Sequence, residues 1–97
     1  MKKKLLLVDD EPNIVMALEY AFKKQGFEVF IARDGSEAVE SLKTWVPDLV
    51  LLDIMMPKMD GFELASHMKN EARFRNIPII MIHQENMFIN DHYIGLS

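Results

Sequence analysis

The sequence predicts an α/β fold, an open and doubly wound sheet that is mostly parallel, and two observations carry that prediction. Short aliphatic runs alternate with single amphipathic helical segments along the 97 residues, and aspartates close the first and third of those runs. A helix between two strands returns the chain to the starting end of the sheet, so successive strands lie parallel with right-handed crossovers.

Residues 4–8 form the first apolar run, a strand. Ile14, Ala17, Leu18, Ala21 and Phe22 then recur at helical spacing. Pro12 suits the first turn of that helix, where a missing N–H costs nothing, and Gly26 suits the position just past its end. Residues 27–32 are rich in aromatic and β-branched types and read as a second strand. Asp34, followed by Glu37 three positions on, resembles a capping box ahead of Ala38, Val39 and Leu42. Pro47 is expected to stop this second helix. Residues 49–52 are uninterrupted aliphatics, as in a strand buried on both faces, which makes the third strand central. Gly61 opens a third helix on which Phe62, Ala65 and Met68 share a face, and residues 77–82 supply a fourth strand beginning near Pro78. The order is βαβαβαβ.

A chain of this length without a linker-like stretch implies one domain over residues 1–97. With 49% hydrophobic and 27% charged residues it has a globular balance. The net charge of −4 argues against direct nucleic-acid binding, which relies on a positive surface. Lys2, Lys3 and Lys4 precede an apolar stretch that Asp9 ends after four residues, too short for a signal peptide or a membrane span. The absence of cysteine excludes disulfides and thiolate metal sites and fits a reducing cytoplasm, where the chain is expected to reside.

In an open α/β sheet, ligands gather outside the carboxyl ends of the strands where strand order reverses. If the first and third strands are neighbours, Asp9, Asp10 and Asp53 converge there, and their repulsion calls for a hard divalent ion such as Mg2+. The same geometry suits phosphoryl transfer: one ionised carboxylate attacks phosphorus while a metal offsets charge on the phosphoryl oxygens. Asp53 is the candidate nucleophile. Taken singly, Asp10 and Glu11 also suit the start of the first helix, where negative charge gains roughly 0.3–1 kcal/mol. That explanation does not reach Asp53, which sits between two apolar runs where an unpaired charge is expensive.

Four motifs now stand together: Val8-Asp9-Asp10-Glu11, Leu52-Asp53-Ile54-Met55-Met56-Pro57, Asp60-Gly61 and Ile77-Pro78-Ile79-Ile80-Met81. In combination they resemble the CheY-like receiver domain of two-component response regulators, a flavodoxin-like fold, over about residues 1 to 82. The resemblance implies that Asp9 and Asp10 hold Mg2+ directly or through water, that Asp53 accepts the phosphoryl group, and that Met55 offers its backbone carbonyl to the metal. It also implies that Pro57 and Gly61 shape the loop and that a histidine kinase is the phosphodonor. Lys58 and His83 are candidate contacts to a phosphoryl oxygen, against the plainer readings of a solvated loop lysine and an ordinary strand-end histidine. Met55, Met56 and Met59 read as packing residues, and His83 with His92 lacks a third metal ligand at a recognisable spacing.

Residues 83–97 depart from the family pattern. The family places a threonine or serine at the end of the fourth strand, where His83 stands here, and a lysine followed by proline after a fifth strand. This sequence has no threonine after Thr44, no lysine after Lys69 and no proline after Pro78. Asp91-His92-Tyr93-Ile94 echoes the run into the family's fifth strand, yet the residues between, 82–90, are too few for a helical crossover. A fourth helix and a normal fifth strand and helix are therefore expected to be missing. The tail is left to form a hairpin, stay irregular or reach another molecule. An uncovered edge at the fourth strand would invite pairing with a second chain, giving a homodimer or an exchanged tail.

Two functional classes follow. The first is a phospho-accepting receiver of a two-component phosphorelay, a signalling domain and not an enzyme. The second is a receiver scaffold with a rebuilt end that acts as a phosphorylation-independent interaction module. An aspartate-dependent phosphatase ranks last, since it needs a carboxylate two positions after the nucleophile, where Met55 stands.

Overall fold

The computed structural model describes residues 2–53, 61–83, 86–89 and 92–95. Its elements, in chain order, are β1 (Lys4–Val8), α1 (Pro12–Lys24), β2 (Glu28–Ala32), α2 (Gly35–Leu42), β3 (Leu49–Asp53), α3 (Gly61–Lys69), β4 (Ile79–His83), β5 (Asn86–Ile89) and β6 (His92–Gly95). They form a six-stranded sheet of order β2-β1-β3-β4-β5-β6. The first four strands are parallel, and β5 and β6 are antiparallel to their neighbours. This is the open, doubly wound architecture that the alternation of strands and helices predicts, completed at one edge by a meander.

Local chemistry fixes the helix ends. Glu11 caps α1, its carboxylate accepting from the Asn13 N–H at 3.0 Å, and Pro12 takes the first helical position. At the other end Gly26 adopts φ +98°, the Gly26 N–H donates to Lys23 O at 3.0 Å, and the Phe27 N–H donates to Phe22 O at 3.1 Å. The same reversal brings the Phe22 and Phe27 rings edge to face at 5.5 Å, the apolar contact that accompanies this C-terminal motif. Asp34 caps α2 by accepting from the Glu37 N–H at 2.9 Å, and the Glu37 carboxylate reaches back to the Arg33 N–H at 3.1 Å. The pair acts as the sequence suggests, with the return bond shifted by one residue.

Two expectations about these helices need correction. Helix α2 ends at Leu42, well before Pro47: Arg73 donates to Leu42 O at 3.2 Å, the Thr44 hydroxyl donates to Ser41 O at 3.1 Å, and Trp45 turns back onto Phe30 with ring centroids 4.4 Å apart. On α1, Ile14, Ala17 and Ala21 belong to the apolar periodicity but are exposed, and the flank that meets the sheet is Val15, Leu18 and Phe22.

Side chains alternate between the two faces of the sheet. Leu6, Val8, Val50, Leu52, Ile79 and Met81 point toward α2 and α3, where Ala38, Leu42, Leu64, Ala65, Met68 and Phe74 complete the larger core. Leu5, Leu7 and Leu51 point toward α1 and form a much smaller one.

The expected open edge at β4 is not there. The chain's own β5 pairs with it, Ile80 opposite Ile89 and Ile82 opposite Met87, and β6 pairs with β5 in turn. Of the three fates open to the tail, the hairpin is the one adopted. The reason is geometric: two residues separate β4 from β5, enough for an antiparallel reversal and far too few for a helical crossover.

Candidate functional site

The sheet order reverses between β1 and β3, because β1 is followed in space by β2 on one side and by β3 on the other. That reversal opens a crevice at the carboxyl ends of the two strands. Parallel register sets Val8 opposite Leu52, so the next residue of each strand, Asp9 and Asp53, arrives at the same level. Asp9 is held there by its N–H donating to Ala32 O at 3.0 Å and by its carboxylate accepting from the Glu11 N–H at 3.0 Å. The second bond also turns the chain into α1 and leaves Asp10 projecting from the crevice, exposed.

Carboxylate oxygens of Asp9, Asp10 and Asp53 lie within 4.8 Å of one another. Asp9 is only 2% exposed, the one buried charged side chain among the described residues. Burial pushes its carboxyl above the ordinary carboxylate value, the neighbouring Asp53 and Asp10 charges and a side-chain hydrogen bond to Asp53 push the same way, and the Glu11 N–H opposes them in part. An all-oxygen, strongly anionic cluster at this spacing fits a hard divalent cation such as Mg2+ and does not suit a soft metal.

A cavity of about 290 Å³ opens beside the cluster, lined by Asp9, Asp10, Pro12, Val15, Met16, Ile31 and Arg33. Arg33 is the one lining residue with chemistry that sequence reasoning does not single out. The signal is there, since Arg33 follows the strand beside β1 and so must emerge at the same end of the sheet as Asp9.

The structure thus brings together the three acids predicted to meet. Gly61 is the first residue of α3, and His83 closes β4, one position beyond Ile82, which pairs with Asp53. Met55, Pro57 and Lys58 lie outside the described residues, as do Met56 and Met59. Among the described residues no helix is long and apolar enough to cross a membrane.

A family model described as the response regulator receiver domain matches residues 5–93. The chain is 42% identical over 82 residues to the alkaline phosphatase synthesis transcriptional regulatory protein PhoP of Bacillus subtilis, covering 84% of this chain and 33% of that protein. It therefore spans about a third of that curated relative. Chemotaxis response regulator CheY4 of Vibrio cholerae superposes with a TM-score of 0.80 at 31% identity, covering 84% of this chain and 68% of the other. The receiver domain of a sensor histidine kinase from Pseudomonas aeruginosa, with a magnesium ion coordinated in its active-site cleft, gives a TM-score of 0.80 at 28% identity over 86% of this chain and 68% of its own. The fold, the match along nearly the whole chain and the identity to a curated relative agree, and the chain belongs to the response regulator receiver domain family.

Proposed function

We infer that this receiver accepts a phosphoryl group from a histidine kinase on the Asp53 carboxylate. The observation that carries the reading is the convergence of Asp9, Asp10 and Asp53 within 4.8 Å at the carboxyl ends of neighbouring strands. Asp53 stands at the end of a strand whose residues Val50, Leu51 and Leu52 are buried, which fixes its position against the crevice. An Asp53 oxygen attacks phosphorus as the P–N bond of a phosphohistidine breaks, and the bonding electron pair leaves with the donor imidazole, which then takes up a proton. The product is an aspartyl phosphate.

Asp9, Asp10 and Asp53, with the backbone carbonyl of Met55, would hold Mg2+. When bound, the ion lowers the mutual repulsion of the acids and offsets negative charge on the phosphoryl oxygens. Pro57 and Gly61 shape the loop after the nucleophile, and Lys58 and His83 are the candidate donors to a phosphoryl oxygen. The cytoplasm, where histidine kinases phosphorylate their receivers, is the compartment this reading requires.

The test is mass spectrometry after incubation with acetyl phosphate. The reading expects one phosphate per chain, dependent on Mg2+ and lost in Asp53→Asn. An unmodified mass in the presence of Mg2+, or an adduct that persists in Asp53→Asn, counts against it.

One observation favours a second reading, a scaffold that associates without phosphorylation. The β5–β6 meander pairs directly onto β4, and His83 stands at the strand end where the family places a threonine or serine. Association that is unchanged by the phosphodonor supports that reading, and association that responds to it supports the first.

A further inference from the structure

Parallel register carries a third residue to the level of Asp9 and Asp53. Val8 pairs with Ala32 on one side and with Leu52 on the other, so Arg33, Asp9 and Asp53 stand side by side at the carboxyl ends of β2, β1 and β3. That level is fixed by the Asp9 N–H, which donates to Ala32 O at 3.0 Å, and by the Arg33 N–H, which donates to the Glu37 carboxylate at 3.1 Å. The acids closest to Arg33 in sequence, Asp34 and Glu37, both accept from backbone N–H groups around the start of α2. Among the described residues Arg33 has no ion-pair partner. Its side chain lines the cavity of about 290 Å³ that opens beside Asp9 and Asp10.

With Asp53 as nucleophile, this row of residues has a direction. Displacement at phosphorus is roughly in line, so the leaving atom lies on the far side of phosphorus from the attacking oxygen. Neighbouring strands are about 4.8 Å apart, which sets the ends of β3 and β2 roughly 10 Å from each other. An attacking oxygen, a phosphoryl group and a small leaving group fit along that span. Its β2 end is the cavity, where Arg33 is the one cation among the lining residues and Pro12, Val15, Met16 and Ile31 are apolar.

The geometry points to Arg33 as a specificity-determining residue that selects phosphodonors by the charge of their leaving group, a role that rests on Asp53 being the phosphoryl acceptor. With an acyl phosphate, the bond from an Asp53 oxygen to phosphorus forms as the bond from phosphorus to the acyl oxygen breaks. The electron pair stays on that oxygen, and a carboxylate leaves. The transition state of phosphoryl transfer is loose, so much of this negative charge has developed before the bond is fully broken. It develops beside Asp9 and Asp10, which repel it, and Arg33 is the group in the cavity that offsets it. A guanidinium also presents two parallel N–H groups to a carboxylate, and the apolar lining receives the alkyl end of the acyl group. A phosphoramidate gives Arg33 no such charge to stabilise: its nitrogen, protonated in the donor, takes the electron pair of the P–N bond and leaves as neutral ammonia.

Time-resolved mass spectrometry of the phosphate adduct, in Mg2+, with acetyl phosphate and separately with phosphoramidate, tests this role. Arg33→Ala is expected to lower the acetyl phosphate rate at saturating donor about tenfold, as for one charge-assisted contact made in the transition state, and to keep the phosphoramidate rate within about twofold. Arg33→Lys keeps the charge without the paired N–H groups and restores part of the loss. Lys24→Ala removes the same charge at the far end of α1 and changes neither rate. Arg33 is exposed and lends only its backbone N–H to the start of α2, so the variants fold, as circular dichroism checks. An acetyl phosphate rate that Arg33→Ala leaves unchanged overturns the role. So does an equal loss with both donors, which would put Arg33 on the phosphoryl group itself. A wild-type chain that gains no phosphate from either donor overturns the assignment of Asp53, and this role with it.

Discussion

Asp9 and Asp53 close neighbouring parallel strands and share a side-chain hydrogen bond, with Asp9 buried to 2% exposure. Two carboxyl groups bonded to each other need a proton or a cation between them, and the raised proton affinity of Asp9 follows from burial together with that need. In the folded chain Asp9 therefore keeps its proton to higher pH than in the unfolded chain, where it titrates near 3.8. Between that value and the folded midpoint the native state binds more protons than the unfolded one, so stability falls across that window and levels off above it, and below 3.8 the penalty is absent. Thermal melts in chelator across the acid range should show this fall in the wild type relative to Asp9→Asn. Parallel pH profiles for the two proteins would contradict it.

If the three acids hold Mg2+ as proposed, the ion acts with the opposite sign, because it competes with protons for the same oxygens and its stabilising effect grows as pH rises. At a hundred times its dissociation constant a ligand that binds only the native state adds about 2.7 kcal/mol. Asp10 is exposed, so Asp10→Asn should leave metal-free stability within about 0.5 kcal/mol. On the proposed reading it removes one of three anionic ligands, and the expected loss of Mg2+ affinity is on the order of tenfold, ~1.4 kcal/mol. Calorimetric titration of both proteins measures the difference, and equal affinities would remove Asp10 from the metal site.

Strands β1 and β3 are legible in the sequence because an aliphatic run ended by aspartate leaves few alternatives: apolar side chains go to both faces and the charge must stand at the end. The meeting of Asp9, Asp10 and Asp53 then follows from topology alone. The exposed flank of α1 is not legible, because periodicity reports an apolar stripe and not how wide a surface waits beneath it. Ile14, Ala17 and Ala21 fit the helical pattern as well as Leu18 does, and only the number of helices on each face separates them. The end of α2 is hidden for a similar reason, since Arg73 and Trp45 act on it through tertiary contacts that no local pattern records.

Gly26 offers a test of how far backbone conformation alone decides a helix end. A Cβ at this position would meet nothing within 4 Å, so Gly26→Ala creates no clash. The cost comes from φ +98°, a region that L-residues adopt at a penalty of roughly 1–2 kcal/mol. Urea denaturation should show a destabilisation of that size with an unchanged m-value. A neutral effect would mean that the chain leaves α1 by another route, one in which the Phe22 and Phe27 rings no longer meet.

The two apolar clusters differ in size, and this predicts unequal sensitivity to truncation. Phe74 is 2% exposed and packs in the core beneath α2 and α3, and its guanidinium neighbour Arg73 lies over its ring at 4.8 Å. Phe74→Ala removes a large buried side chain from a region with little room to collapse, and a loss of about 3–5 kcal/mol is expected. Leu18 lies against the sheet on the other face but is only half-buried, so part of its surface stays in water in the native state. Leu18→Ala should cost less than the ~2–5 kcal/mol of a fully buried leucine, because both the transfer and the cavity contributions shrink with exposure. Denaturation at low protein concentration measures the two sites in the single chain.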